Sequence, residues 1–314
     1  MNKVISNGKE ISLMTLGTVQ LGMNYGIANE GGQPDETQSH EMLRAALSGG
    51  VSALDTARAY GNSEEVIGRF LKTWEGAMPY IATKVPMLPD TTSDIEVEKH
   101  VIGKIEESLT RLGVNKVDTV MLHSNTDIIK HGARAARALS QAKKQGLCDN
   151  IGVSVYYKEE IEEMIKYPEL SVTQVPMSIF DQCLISSGTV KKLKERDYTV
   201  FVRSVFLQGV FFLEPDEMTD PILINEAAPY IRRLREIAGA EGMTVTELAI
   251  AFMRDTAGVT SLVLGADTPA QVKENMSYFD TAPLSESTLR NIETTFKDVN
   301  IPEIMKVLRR PKKQ

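Results

Sequence analysis

The sequence predicts an α/β protein, a (β/α)8 TIM barrel with a C-terminal helical appendage, and three observations carry that reading. Apolar runs of strand length alternate with segments of helical period along the whole chain. Eight such runs fall between residues 12 and 265, and strands separated by helices are paired in parallel, because parallel neighbours need crossover connections. The fingerprints of an open doubly wound sheet are missing: no Gly-x-Gly-x-x-Gly follows an early strand, and there is no Gly-x-x-x-x-Gly-Lys-Ser/Thr.

The first strand is expected at 12–17, followed by a glycine-containing loop at 22–34. The runs at 51–54, 80–83, 117–123, 151–154, 172–176, 199–203 and 261–265 supply the other seven strands. Between them, helical period marks 37–48, 63–71, 97–112, 132–145, 158–165, 188–196 and 229–238. A longer loop, 207–223, follows the seventh strand. Helical stretches near 286–296 and 302–308, beyond Tyr278, form the appendage. No Pro- or Ser-rich linker divides the chain, so one domain over residues 1–314 is expected.

Bulk composition restricts the partners. A hydrophobic fraction of 42% and a charged fraction of 25% are ordinary for a globular enzyme. A net charge of −7 argues against nucleic acid. The basic end, from Lys306 through Arg309, Arg310 and Lys312 to Lys313, reads as a solvated tail. Cys148 and Cys183 have no disulfide or metal-ligand spacing, which suits a reducing cytoplasm. The N-terminus has no apolar stretch of signal-peptide length, and no window approaches the roughly 20 apolar residues that span a bilayer. A soluble cytoplasmic protein with a small-molecule partner is therefore expected; its oligomeric state is not legible.

Four polar residues stand where the chemistry of such a barrel is built, at the C-terminal ends of strands or in the loops that follow. Asp55 ends the run Val51-Ser-Ala-Leu, and Lys84 follows Ile81-Ala-Thr. An apolar setting tends to discharge a lysine, and a nearby carboxylate keeps it charged; Asp55 is the candidate. Tyr60 lies five residues past Asp55, and an ammonium beside it is expected to pull the phenol toward neutral. Such a phenol exchanges a proton with a carbonyl oxygen. His123 ends the run Val117-Asp-Thr-Val-Met-Leu and is expected to face the strand tips, with His40, His100 and His131 exposed.

These residues sit in motifs that resemble the aldo-keto reductases over nearly the whole chain. The matches are Asp-Thr-Ala-x-x-Tyr-Gly-Asn-Ser-Glu at 55–64, Thr83-Lys84, Leu122-His123, Ile-Gly-Val-Ser at 151–154, Gln174-Val-Pro, Arg203-Ser-x-Phe-Leu-Gln-Gly209, and Gly265-Ala with Glu274-Asn275. The resemblance implies a barrel that binds NADPH (or NADH) at its rim and reduces a small aldehyde, ketone or sugar-like carbonyl. Tyr60 would donate the proton, Asp55 and Lys84 would tune it, and His123 would position the carbonyl. Ser154 and Gln174 would hold the carboxamide of the nicotinamide, and Arg203 would lie flat against the ring. By the same carry-over Gly17, Thr18, Asp55, Ser204, Phe206, Leu207, Gln208 and Gly209 contact the cofactor. Gly265, Ala266, Gln271, Glu274 and Asn275 match its adenosine end, where a helix N-terminus would favour phosphate.

The pattern departs in places. Val155 stands where many members have Asn, and Met177-Ser178 replaces a frequent Tyr-Asn. Near the 2′-phosphate position only Lys273 is basic, and Asp267 is acidic. Two other functions share the fold: a cofactor-binding regulatory subunit with little turnover, as in potassium-channel β-subunits, and a lyase using Lys84 as Schiff-base nucleophile. The start of the chain close to the first strand argues against the regulatory subunit. Substrate choice is expected to lie in the loops 20–34, 124–130 and 207–223 and in the stretch after Tyr278, with Tyr25, Phe206, Phe211, Phe212 and Trp74 as candidate pocket aromatics and Gln20 and Asn24 as candidate polar contacts.

Overall fold

The computed structural model describes residues 1–26 and 31–310. It opens with an antiparallel hairpin, β1 (Lys3–Ser6) and β2 (Lys9–Ser12). The turn is Asn7-Gly8, with φ of 48° and 73°, and Asn-Gly is favoured there because both residues must adopt left-handed conformations. The single strand expected at 12–17 is thus divided: Ser12 closes the hairpin, and the barrel begins at β3 (Met14–Gly17).

The remaining strands are β4 (Ala53–Asp55), β5 (Tyr80–Val85), β6 (Val117–Leu122), β7 (Cys148–Ser154), β8 (Val172–Pro176), β9 (Thr199–Arg203) and β10 (Ser261–Leu264). All eight from β3 to β10 pair in parallel and close, with β10 lying between β9 and β3. This is the (β/α)8 barrel that the alternation predicts.

Two apolar layers hold it. Inside the barrel, Ile11, Ala53, Tyr80, Ala82, Met121, Val172 and Phe201 pack together. Ile11 belongs to β2, while Ala53 and Tyr80 begin their strands, so the hairpin covers the N-terminal end of the barrel. A larger cluster lies between the strands and the surrounding helices. Side chains alternate along a strand. In β5, Tyr80 and Ala82 therefore point inward, and Lys84 follows them on the same face at the opposite end of the barrel.

Several expectations are corrected. Residues 124–130, expected as a loop, are largely helix Asn125–His131, which breaks at Gly132 (φ 48°) before helix Ala133–Lys144. The 207–223 loop contains short helical turns at Leu207–Phe212 and Pro215–Glu217. His131 is buried and His40 and His100 are half-buried, because their helices pack on the barrel instead of standing free. The basic end is docked through residue 310: Arg310 pairs with Asp220, and the Arg309 guanidinium lies 5.3 Å from the Tyr156 ring centroid. Lys312 and Lys313, and residues 27–30 of the first loop, lie outside the described residues. Among the described residues no helix is long and apolar enough to cross a membrane.

Two glycines place the turn that carries Tyr60. The short helix Val19–Gly22 backs onto it, and Asn62 N–H reaches the Gly22 carbonyl at 3.4 Å. A Cβ on Gly22 would come 1.8 Å from the Tyr60 carbonyl, and one on Gly61 (φ 55°) would come 2.0 Å from the Gly22 carbonyl. Backbone meets backbone there, and no side chain fits between. Gly22→Ala is expected to lose about 1–3 kcal/mol of stability in urea unfolding and to shift Tyr60; a transition matching the unsubstituted protein contradicts this packing.

Candidate active site

Register explains how Asp55 and Lys84 meet. Asp55 pairs with Ala82 across β4 and β5, and Lys84 is the next inward residue after Ala82. Lys84 Nζ donates to Asp55 Oδ1 at 2.6 Å, to the Thr56 carbonyl at 3.0 Å and, more distantly, to the Tyr60 hydroxyl at 3.4 Å. An ammonium has three donors, and each has an acceptor here although the residue is only 1% exposed. Burial lowers the lysine's pKa and the Asp55 charge opposes that fall. Gln174 Nε2 adds a second donor to the same Asp55 oxygen at 2.8 Å.

The outward residues of these strands fix the frame. Thr83, facing away from Lys84, donates to Glu64 Oε1 at 2.7 Å. Thr18 donates through its N–H (3.0 Å) and its hydroxyl (2.9 Å) to the Asp55 carbonyl. Ser63 Oγ lies 2.8 Å from Thr18 Oγ1. The Ser and Glu that end the 55–64 motif thus act as ties between the strand ends and helix Ser63–Leu71.

Tyr60 rests over this pair. Lys84 Nζ lies 4.9 Å from its ring centroid, and the His123 ring meets it edge-on at 5.5 Å and 84°. Its pKa departs from the sequence expectation. Burial pushes the phenol up from its ordinary value, the Asp55 charge adds to the rise, and Arg203 opposes it. The lysine's charge is already balanced by Asp55 at 2.6 Å, so the phenol faces a nearly neutral pair. Tyr60 therefore stays protonated. His123 is held to about 3 by burial and by the positive charges of Lys84 and Arg203. It is a neutral imidazole at ordinary pH. Lys84, its ammonium held by a carboxylate, is a poor nucleophile, which tells against the Schiff-base route.

Beside Tyr60 opens a cleft of about 480 Å³. From Asp55 on β4 it crosses Gly17 on β3 to Gly265 just after β10. It continues to helix Pro269–Ser277. Of the expected site residues, Gly17, Thr18, Asp55, Tyr60, Gln174, Arg203, Ser204, Phe206, Gln208, Gly209, Gly265, Ala266, Gln271, Glu274 and Asn275 border it. Lys84 lies beneath the lining, and Ser154, 2% exposed, is the strand neighbour of Gln174. Leu207 faces a second cavity of about 270 Å³ under helix Ile301–Leu308. Tyr25, Phe206, Phe212 and Gln20 border the main cleft, whereas Phe211 is core and Trp74 stacks on Phe70.

Residues that sequence reasoning missed include Thr246 and Tyr278 on the cleft wall, and Tyr156. The Arg203 guanidinium lies 4.2 Å over the Tyr156 ring and donates to the Val155 carbonyl at 3.4 Å. A tyrosine just past a strand end carries no periodic signal that would mark it as a support for an arginine. The loop after β9 is strained: Ser204, Leu207 and Gln208 have φ of 63°, 48° and 56°. Left-handed non-glycine residues persist only where their surroundings hold them, often at binding sites.

The family model for the aldo/keto reductase family matches residues 13–296. The chain belongs to the aldo/keto reductase family. Aldo-keto reductase YhdN of Bacillus subtilis is 25% identical, covering 96% of each chain. An NADH-specific methylglyoxal reductase of Escherichia coli is 24% identical over 85% of this chain and 89% of its own. Among solved structures, the holo form of aldo-keto reductase AKR11C1 from Bacillus halodurans superposes with a TM-score of 0.78 at 22% identity, covering 94% of this chain and 96% of that one. At that identity the likeness speaks for the fold.

Two measurements follow for this aldo/keto reductase. Lys84→Met leaves the Asp55 carboxylate buried without its partner, and unfolding free energy at neutral pH is expected to drop by roughly 3–5 kcal/mol. The double variant with Asp55→Leu recovers much of that loss; equal losses would show that the pair is not coupled. Between the ordinary imidazole value of 6.5 and about 3, the unfolded chain takes up a proton that folded His123 refuses. Its contribution to stability is therefore complete above pH 6.5 and is lost as pH falls through that window. His123→Gln is expected to flatten part of the fall in acid titrations of stability.

Proposed function

We propose that the protein reduces a small aldehyde or ketone, sugar-like compounds included, to its alcohol, with a nicotinamide dinucleotide lying along the main cleft. The observation that carries this reading is the convergence of Tyr60, Lys84, Asp55 and His123 at the head of that cleft. The residues there suit the cofactor. Gln174 spends its amide N–H2 on Asp55, and its Oε1, buried without a partner, is an acceptor suited to a carboxamide N–H. The Arg203 guanidinium offers a flat cation against which a planar ring can lie.

The bound dinucleotide supplies the hydride. Tyr60 donates its hydroxyl proton to the carbonyl oxygen as that oxygen gains charge. The phenolate that remains is stabilised by the Lys84 ammonium, and Asp55 keeps that lysine charged and aimed. His123, neutral and packed on the Tyr60 ring, donates a ring N–H to the same oxygen and orients it. In the reverse direction the phenolate takes a proton back from the alcohol. NADH and NADPH carry the same reacting ring, so the head of the cleft does not distinguish them. The relative named as a methylglyoxal reductase makes small dicarbonyls the first substrates to try.

Tyr60→Phe keeps the ring and removes the acid. Its kcat is expected to fall by at least about 100-fold, while dinucleotide affinity measured by calorimetry stays within a few-fold. Turnover of a carbonyl panel, followed by loss of reduced-nicotinamide absorbance and left unchanged by the substitution, would reject the assignment.

A further inference from the structure

The far end of the main cleft differs sharply in charge from its head. Among the described residues bordering the cleft, Arg203 is the one basic side chain, and it lies beside Tyr60. The end formed by Gly265 and helix Pro269–Ser277 carries two carboxylates, Asp267 and Glu274. Lys273, between them in sequence, does not border it.

The helix N-terminus at this end offers less to an anion than the sequence suggests. Pro269 at its start has no N–H to donate. The Gln271 N–H is taken by the Thr268 hydroxyl at 3.2 Å, and the Asp267 N–H by Gln271 Oε1 at 2.7 Å. Of the backbone positions there, one has no donor and two have theirs engaged. Acceptors are plentiful instead. Tyr278 donates to Glu274 Oε1 at 2.6 Å and holds that side chain on the cleft wall. Burial pushes the Asp267 carboxyl above its ordinary value.

Carboxylates accept hydrogen bonds from neighbouring ribose hydroxyls and repel a phosphate in the same place, the device by which unphosphorylated dinucleotides are selected elsewhere. Resting on the reductase reading above, we propose that this end takes a ribose with free hydroxyls. NADH is then the working cofactor, and Asp267 and Glu274 are the residues that reject the 2′-phosphate of NADPH. This choice replaces the NADPH preference implied by the family resemblance, because the charge on this wall has the wrong sign for a phosphate.

Calorimetric titration of the full chain separates the possibilities without turnover. NADH is expected to bind at least about 10-fold more tightly than NADPH, and 5′-AMP more tightly than 2′,5′-ADP. The gap should shrink as salt is raised, since exposed charges are screened within about 10 Å at 0.1 M. The double variant Asp267→Asn, Glu274→Gln should narrow it several-fold by strengthening NADPH binding. NADPH binding as tightly as NADH to the unsubstituted protein would overturn the inference and leave the reductase reading standing. An unchanged ratio in the variant would remove the role of these two residues. If neither dinucleotide binds at millimolar concentration, the reductase reading fails with it.

Discussion

Holding an ammonium inside a barrel requires a counter-charge within contact distance, and that requirement organises this protein. Lys84 lies at the top of an interior otherwise filled by Ile11, Tyr80, Ala82, Met121 and Phe201. A lone cation there would lose its proton or unfold the site. Asp55 at 2.6 Å, the Thr56 carbonyl and the Gln174 amide convert it into a satisfied network. Such a pair adds little net stability over apolar packing, because its desolvation offsets much of its attraction. What it provides is position: once the strand register brings Asp55 level with Ala82, the hydrogen bonds of both charged groups are settled.

The same neutrality explains the state of Tyr60. An isolated ammonium would acidify a phenol beside it, but an ammonium already paired acts as a weak dipole. Burial then dominates, and the phenol keeps its proton. In the proposed reaction the lysine acts only when the proton leaves and a negative oxygen forms over it. His123 is also kept neutral, by burial and by the positive charges of Lys84 and Arg203. A preorganised polar site of this kind stabilises developing charge with little reorganisation.

Around this centre, rigid contacts set position and softer ones set choice. Gly22 and Gly61 allow the Tyr60 turn to touch the first strand's following helix, while Thr18 and Ser63 tie that turn to the end of β4. Arg203 is steadied by stacking on Tyr156, itself flanked by Arg309 from the last described helical segment. The chain's C-terminal region is thereby joined to the cleft wall. At its head the cleft is bordered by Asp55 and by its one basic side chain among the described residues, Arg203, and at its far end by the carboxylates Asp267 and Glu274, the contrast on which the proposed NADH preference rests.

Much of the fold was legible in the residues. Alternating strand and helix periods depend on local spacing, so the eight parallel strands and the rim positions of Asp55, Lys84 and His123 could be read directly. Ordered motifs identified the family for the same reason. The N-terminal hairpin carried its own Asn-Gly signal and was overlooked beside the longer pattern. The helix at Asn125–His131 hid behind a polar composition that reads as loop. Other features depended on barrel closure, which brings together residues far apart in the chain at distances no single segment encodes. That Lys84 spends its charge on Asp55 and leaves Tyr60 unacidified, that Arg203 stacks on Tyr156, and that Asp267 and Glu274 come to border one end of the cleft were all decided there. The charge a group feels is a sum over spatial neighbours, and only the folded chain assembles those neighbours.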